Sequence, residues 1–274
     1  MAVDLHVHST ASDGSYSPPE LVEQAIARGL TALAIADHDT LDGVPAGQEA
    51  AAGRLTFLPA VEISTHLGHH ELHILGYMLD LDYEPLLAEL DRIQEERVRR
   101  ARKTVELLQG LGVNLTYDQV EMAAGGTCIG RPHIATALVE AGAVESPAMA
   151  FDRYLKRGRP AYVDRYRVSP ARAIELIGGA GGLPVLAHPR LVRRDALVPE
   201  LVRLGLAGIE VYHVQHTPHD VERYRQLAAQ WHLVQTGGTD SHGPRGTYPV
   251  EVGQVYVPDS CAEAVLAWKA RQGS

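Results

Sequence analysis

His6 and His8 stand two residues apart in VDLHVHST, a spacing that in an extended strand turns both imidazoles to one face. Two imidazoles on one face can grip a transition metal, and histidine is also the usual proton carrier near neutral pH. The chain carries 14 histidines among its 274 residues, and several others stand close to acidic side chains. Asp13 follows in the next turn, ADHD contains Asp37, His38 and Asp39, and Glu62 lies in VEIS. Farther along come His73 in LHILGY, His188 in LAHP, and Asp240 and His242 in TGGTDSH. Each of these alone passes for a turn residue or a packed imidazole. Taken together, His6, His8, Asp13, His38, Glu62, His73, His188, Asp240 and His242 form a set of nitrogen and oxygen donors without thiolate. Such a set suits manganese, iron or zinc and does not distinguish among them.

The elements that must position these donors are short runs rich in Val, Ile and Leu, at 3–8, 33–36, 55–63, 71–78, 183–188, 208–213 and 232–236. Helix-like stretches separate most of them, the pattern of βα units around a parallel sheet. In SPPELVEQAIARGL, Ser17 suits a helix cap, Pro18 the first turn and Gly29 the exit; Ser169 and Pro170 open a second such helix. The donors fall at the ends of the runs. In parallel α/β barrels the C-terminal strand ends converge on one mouth, so the spacing predicts one pocket holding all of them. His66, His69 and His70 are expected in an exposed loop, whereas His213, His216 and His219 follow a strand at the catalytic end. Asp37, Asp39 and His216 are candidates for outer-shell or proton-transfer roles.

Residues 81–180 break the rhythm with a long helical pattern, EPLLAELDRIQEERVRRARKTVELLQGLG. The expected organisation is therefore an α/β barrel domain made of 1–80 and 181–274, with 81–180 as a mostly helical insert. The net charge is −9, yet the insert holds 14 basic and 14 acidic residues, so the whole excess belongs to the barrel segments. No run approaches the ~18 to 20 apolar residues of a membrane span, and MAVDLHVHST lacks the marks of a signal peptide. A cytoplasmic location is the expectation. The two cysteines, Cys128 and Cys261, are too few for a disulfide framework.

In DLHVHSTASDGSYSP, ADHDT, VEIS, LHILGY, LAHP and TGGTDSHG the sequence resembles the polymerase and histidinol phosphatase (PHP) family of metal-dependent phosphoesterases. The resemblance implies a distorted seven-stranded (βα) TIM-like barrel with three divalent metal ions, manganese foremost, at its mouth. It also implies their seating: His6, His8, Glu62 and Asp240 on one ion, Glu62, His73 and His188 on a second, and Asp13, His38 and His242 on a third. A hydroxide bridging the first two ions would be the nucleophile.

The insert motif AGGTCIGRPH, with Arg131 and His133, is shared with a subgroup that includes nucleoside 3′,5′-bisphosphate phosphatases and ribonuclease AM. There the insert closes over the mouth. Carried over, Arg131 and His133 would hold a 5′-phosphate while the metals attack the 3′-phosphate. The expected substrates are small phosphorylated nucleotides and short 5′-phosphorylated RNA, degraded 5′ to 3′. With no basic tail or Lys/Arg stripe, long duplex nucleic acid is not expected as a partner, and neither is a membrane. Histidinol phosphate hydrolysis, a related metallo-amidohydrolase activity, and a non-catalytic phosphate- or nucleotide-binding module are the alternatives.

Overall fold

The computed structural model describes residues 2–68, 70–125, 129–245 and 249–272; His69, Gly126 and Cys128 of the motifs above lie outside them. Its strands are β1 (Val3–Val7), β2 (Ala32–Ile35), β3 (Thr56–Phe57), β4 (Ala60–Leu67), β5 (His70–Tyr77), β6 (Leu183–Leu186), β7 (Gly208–His213) and β8 (Val234–Gly238). The helices are α1 (Pro18–Ala27), α2 (Gly43–Ala51), α3 (Glu84–Gly110), α4 (Tyr117–Ala124), α5 (Arg131–Glu140) and α6 (Pro147–Ala150). They continue with α7 (Pro170–Gly179), α8 (Pro189–Val192), α9 (Val198–Arg203), α10 (Pro218–Trp231) and α11 (Ser260–Gln272). The chain divides into two compact units, one made of 1–88 with 167–274, the other of 89–166.

In the first unit β1, β2 and β3 form a parallel sheet, and β4 to β8 a second sheet in sequence order. Backbone bonds join these sheets at two places. Asp240 donates to the His6 carbonyl at 2.8 Å and His8 to the Ser241 carbonyl at 2.9 Å, while Asp39 donates to the Glu62 carbonyl at 2.9 Å. The run at 55–63 becomes two strands rather than one, with Leu58 and Pro59 between them. Proline has no N–H to give a sheet ladder, so the strand restarts after it. The run at 71–78 does not belong to a βα unit. It pairs antiparallel with β4, placing Glu62 opposite Leu75 and Ser64 opposite His73, and antiparallel again with β6. Two residues separate β4 from β5, which permits a hairpin and is far too short for a parallel crossover. His66 and His70, expected in a loop, are therefore strand residues of this hairpin.

Apolar side chains on both sheets bury a common core, in which Leu5, Ala34, Leu58, Leu75, Leu183 and Val185 are among the members. A neighbouring cluster packs Leu21, Val22 and Ala25 of α1 against Leu33 and Ile35 of β2. Gly238 permits the tight approach of β8 to β1, since a Cβ there would stand 2.4 Å from the His6 Cβ. Helix α7 belongs to this unit and begins at Ser169, whose hydroxyl accepts from the Arg172 N–H. The second unit is helical, with a core that includes Val105, Leu108, Leu115, Ile134, Leu138 and Leu155.

Candidate metal centre

The alternation of β1 delivers what its sequence implies: His6 and His8 are both fully buried, with their Nε2 atoms 3.2 Å apart. Glu62 Oε2 lies 3.4 Å from each of these nitrogens. Asp240 Oδ1 lies 3.6 Å from that of His6 and 3.0 Å from that of His8. Ligands ~2.1 Å from an ion stand about 3.4 Å apart in tetrahedral coordination. The four donors thus have the mutual spacing of ligands around one cation. Two further groupings have donor atoms within 4.8 Å of one another: His8, Asp13, His38 and His242, and His38, Glu62 and His73. His188 joins through Glu62, its Nε2 standing 2.9 Å from Oε1, the same oxygen that His73 Nδ1 approaches to 2.9 Å. All nine donors named from the sequence therefore join one contiguous cluster, linked through Glu62, His8 and His38.

Several of these atoms make no hydrogen bond although they are buried. Among them are His8 Nδ1, Glu62 Oε2, His188 Nδ1 and Asp240 Oδ1. Buried polar atoms are ordinarily paired, because leaving one unpaired costs about 1–3 kcal/mol. His38 Nδ1 and Glu62 Oε2 stand 3.0 Å apart without hydrogen-bond geometry. The donor set fits a metal cluster.

Without metal, the cluster pushes its own titrations apart. Burial, with the nearby rings of His242 and His38, holds His8 down to about 3. For His73 burial is outweighed by the Glu62 carboxylate, which lifts it to about 10. His242, lowered by burial and raised by Asp13, reaches about 9. Glu62 is resisted by burial but driven well below the usual carboxylate range by His38, His73 and His6.

The proposed outer-shell residues divide. Asp37 Oδ1 accepts from the Ser9 N–H at 2.7 Å and the Ser12 hydroxyl at 2.6 Å, and Oδ2 from the Ser9 hydroxyl at 2.6 Å. It clamps the turn that carries Asp13. Asp39 Oδ1 accepts from the Ser64 N–H at 2.8 Å and so ties the end of β2 to β4. His216 binds the Val211 carbonyl at 2.8 Å. Its neighbour His213 is the one that faces the cluster, with Nε2 3.5 Å from Asp240 Oδ2 and Nδ1 accepting from the Gln215 N–H.

Sequence reasoning missed Asp4 and Glu210, both fully buried. Asp4 accepts from the Thr239 N–H at 3.0 Å and the Thr239 hydroxyl at 2.7 Å, next to Asp240. The available signal was an acidic residue inside an otherwise apolar strand run, which requires a buried partner. In the second unit Arg131 and His133 occupy the first and third positions of α5, after the cap residue Gly130. His133 Nδ1 accepts from the Gly130 N–H at 3.1 Å.

The model of the PHP domain matches residues 4–124. A 3′,5′-nucleoside bisphosphate phosphatase of Chromobacterium violaceum is 36% identical over 251 residues, 88% of this chain and 87% of that protein. The chain belongs to the PHP family. The 5′-3′ exoribonuclease Rnm of Escherichia coli is likewise 36% identical to this PHP protein, over 88% of this chain and 85% of its own. A crystal structure of a candidate metal-dependent phosphoesterase from Bifidobacterium adolescentis superposes with a TM-score of 0.82 at 34% identity, covering 97% of this chain and 96% of the other. As a PHP enzyme it is a hydrolase of phosphate esters, and the converging donors belong to a metal-dependent chemistry. Among the described residues no helix is long and apolar enough to cross a membrane.

Proposed function

We propose that this PHP enzyme hydrolyses the 3′-phosphate ester of nucleoside 3′,5′-bisphosphates, and that short 5′-phosphorylated RNA, trimmed 5′ to 3′, is its second substrate. The carrying observation is the convergence of nine nitrogen and oxygen donors in one contiguous cluster at ligand-like spacings. The names of the relatives supply the nucleotide class. We read the cluster as a site for three divalent ions, manganese first. His6, His8, Glu62 and Asp240 hold one, Glu62, His73 and His188 a second, and Asp13, His38 and His242 a third. The hydrogen bonds joining the two sheets support reading the fold as one distorted barrel, with the helical insert narrowed from 81–180 to 89–166 because α7 belongs to the first unit.

When bound, such ions supply Lewis acidity to a phosphate oxygen and a water of lowered pKa for in-line attack. The chain's own residues do the rest. Glu62 serves two groups of imidazoles at once, through Oε2 to His6 and His8 and through Oε1 to His73 and His188. His213 Nε2 stands 3.5 Å from Asp240 Oδ2, the oxygen other than the one nearest His8. Arg131 offers a guanidinium fork suited to a terminal phosphate. Because His133 Nδ1 accepts from Gly130, its ring proton is on Nε2 and suits the same phosphate. A grip on the 5′-phosphate spends binding energy remote from the reacting bond to orient that bond.

The test compares adenosine 3′,5′-bisphosphate, 5′-phosphorylated and unphosphorylated short RNA, histidinol phosphate and an aryl phosphate, each with manganese. Turnover should be highest on the bisphosphate and should require the 5′-phosphate on RNA. Arg131→Ala should lower kcat/KM on the bisphosphate at least tenfold and leave aryl phosphate hydrolysis nearly unchanged. Equal losses on both substrates would remove Arg131 from phosphate recognition, and a preference for histidinol phosphate would replace the nucleotide reading.

A further inference from the structure

Glu210 lies in the middle of β7, with no exposure to solvent, and its two oxygens serve two different members of the cluster. Oε1 is 3.0 Å from His6 Nδ1. Oε2 accepts the backbone N–H of His188 at 2.7 Å. A neutral imidazole has one ring proton, and a carboxylate acceptor at Nδ1 keeps that proton there, leaving the lone pair on Nε2. Nε2 is the His6 atom that converges with His8, Glu62 and Asp240. His188 presents a different need. Its φ is +25°, a sparsely populated backbone conformation that persists only where the surroundings hold it. Its side chain nonetheless reaches Glu62 Oε1 at 2.9 Å.

From this geometry we infer that Glu210 is a positioning residue of the metal centre: one carboxylate sets the tautomer of His6 and holds the strained peptide that carries His188. The inference rests on the reading of the cluster as a metal site. Burying a carboxylate is costly unless both oxygens have partners, and here both face members of the cluster. What a neutral amide lacks is two acceptors. In Glu210→Gln one end of the side chain becomes a donor, and it must face either the His6 ring proton or the His188 N–H, both donors themselves. The variant preserves volume and inverts the polarity of one contact.

The experiment measures manganese affinity and stoichiometry by chelator competition, together with the melting temperature of metal-free protein, in the wild type, Glu210→Gln and Glu210→Asp. For Glu210→Gln the expected result is a tenfold to hundredfold loss of affinity in at least one site, about the effect of removing an outer-shell partner. Its metal-free melting temperature should fall only modestly, by the loss of one buried hydrogen bond, and the affinity is measured well below it. Glu210→Asp, which keeps two acceptors, should recover part of the affinity. Ring-nitrogen NMR of the zinc-loaded wild type provides a readout that needs no variant: the His6 ring proton should reside on Nδ1. A proton on Nε2, or wild-type affinity in Glu210→Gln, would overturn the role of Glu210 and leave the metal centre standing. A wild-type protein that binds no metal would overturn both.

Discussion

At the scale of single residues, the cluster stores its organisation in protonation. His73, raised to about 10, and His242, raised to about 9, carry protons at neutral pH in the metal-free protein and pair with Glu62 and Asp13. An unfolded histidine titrates near 6.5. A folded value above the unfolded one contributes stability that is complete below about 6.5 and is lost as pH climbs through the folded value. The melting temperature of the metal-free protein should therefore fall between about pH 6.5 and 10, while the metal-loaded protein, whose ions replace those protons, should show no such fall. Differential scanning calorimetry across that range measures it. A flat or rising metal-free profile would contradict the pairing described here. At this scale the sequence was most legible for histidine, because the HxH alternation and the strand-end positions carry a direction. It was least legible for Asp4 and Glu210, whose purpose depends on partners 235 and 204 residues away in the chain. His213 ends β7 and His216 follows it, and sequence spacing could not tell which ring turns toward Asp240.

At the scale of elements, strands carry His6, Glu62 and His73, and the segments that follow strands carry the other six donors. The turn after β1 carries Asp13 and is held by three donors closing on Asp37. Asp37→Ala would leave the Ser9 N–H without its acceptor and should cost about 1–3 kcal/mol of stability. The same change should weaken the metal that Asp13 helps to hold, measurable as a lower urea midpoint together with reduced metal content. A variant with unchanged midpoint and full metal content would show that the turn holds itself. Helix starts at Ser17 and Ser169 were readable from local chemistry, since a proline and a serine hydroxyl act within one turn, that of Ser169 accepting from the Arg172 N–H and that of Ser17 donating to the Glu20 carboxylate. The β4–β5 hairpin was not read, although the short THLGHHE link excludes a crossover by length alone. That hairpin matters to the site, because antiparallel pairing sets Glu62 and His73 diagonally across two strands rather than at neighbouring strand ends.

At the scale of the whole molecule, an acidic chain acts on polyanions by confining positive charge to one place. The net charge of −9 lies outside residues 81–180, in the same segments that contribute every donor of the cluster. On the proposed occupancy of three divalent ions, their charge outweighs the three ligand carboxylates and Glu210, so the pocket would be cationic although the chain is acidic. Such a distribution favours a small substrate that reaches the ions over a long nucleic acid that samples the surface. The central claim is that these nine residues hold three divalent ions used in hydrolysis. It is tested most directly by elemental analysis of protein expressed with manganese, dialysed and assayed on adenosine 3′,5′-bisphosphate before and after chelation. About three ions per chain, loss of activity on their removal and recovery on their return are expected; one ion or none, or full activity in the chelated protein, would rule out the three-ion centre.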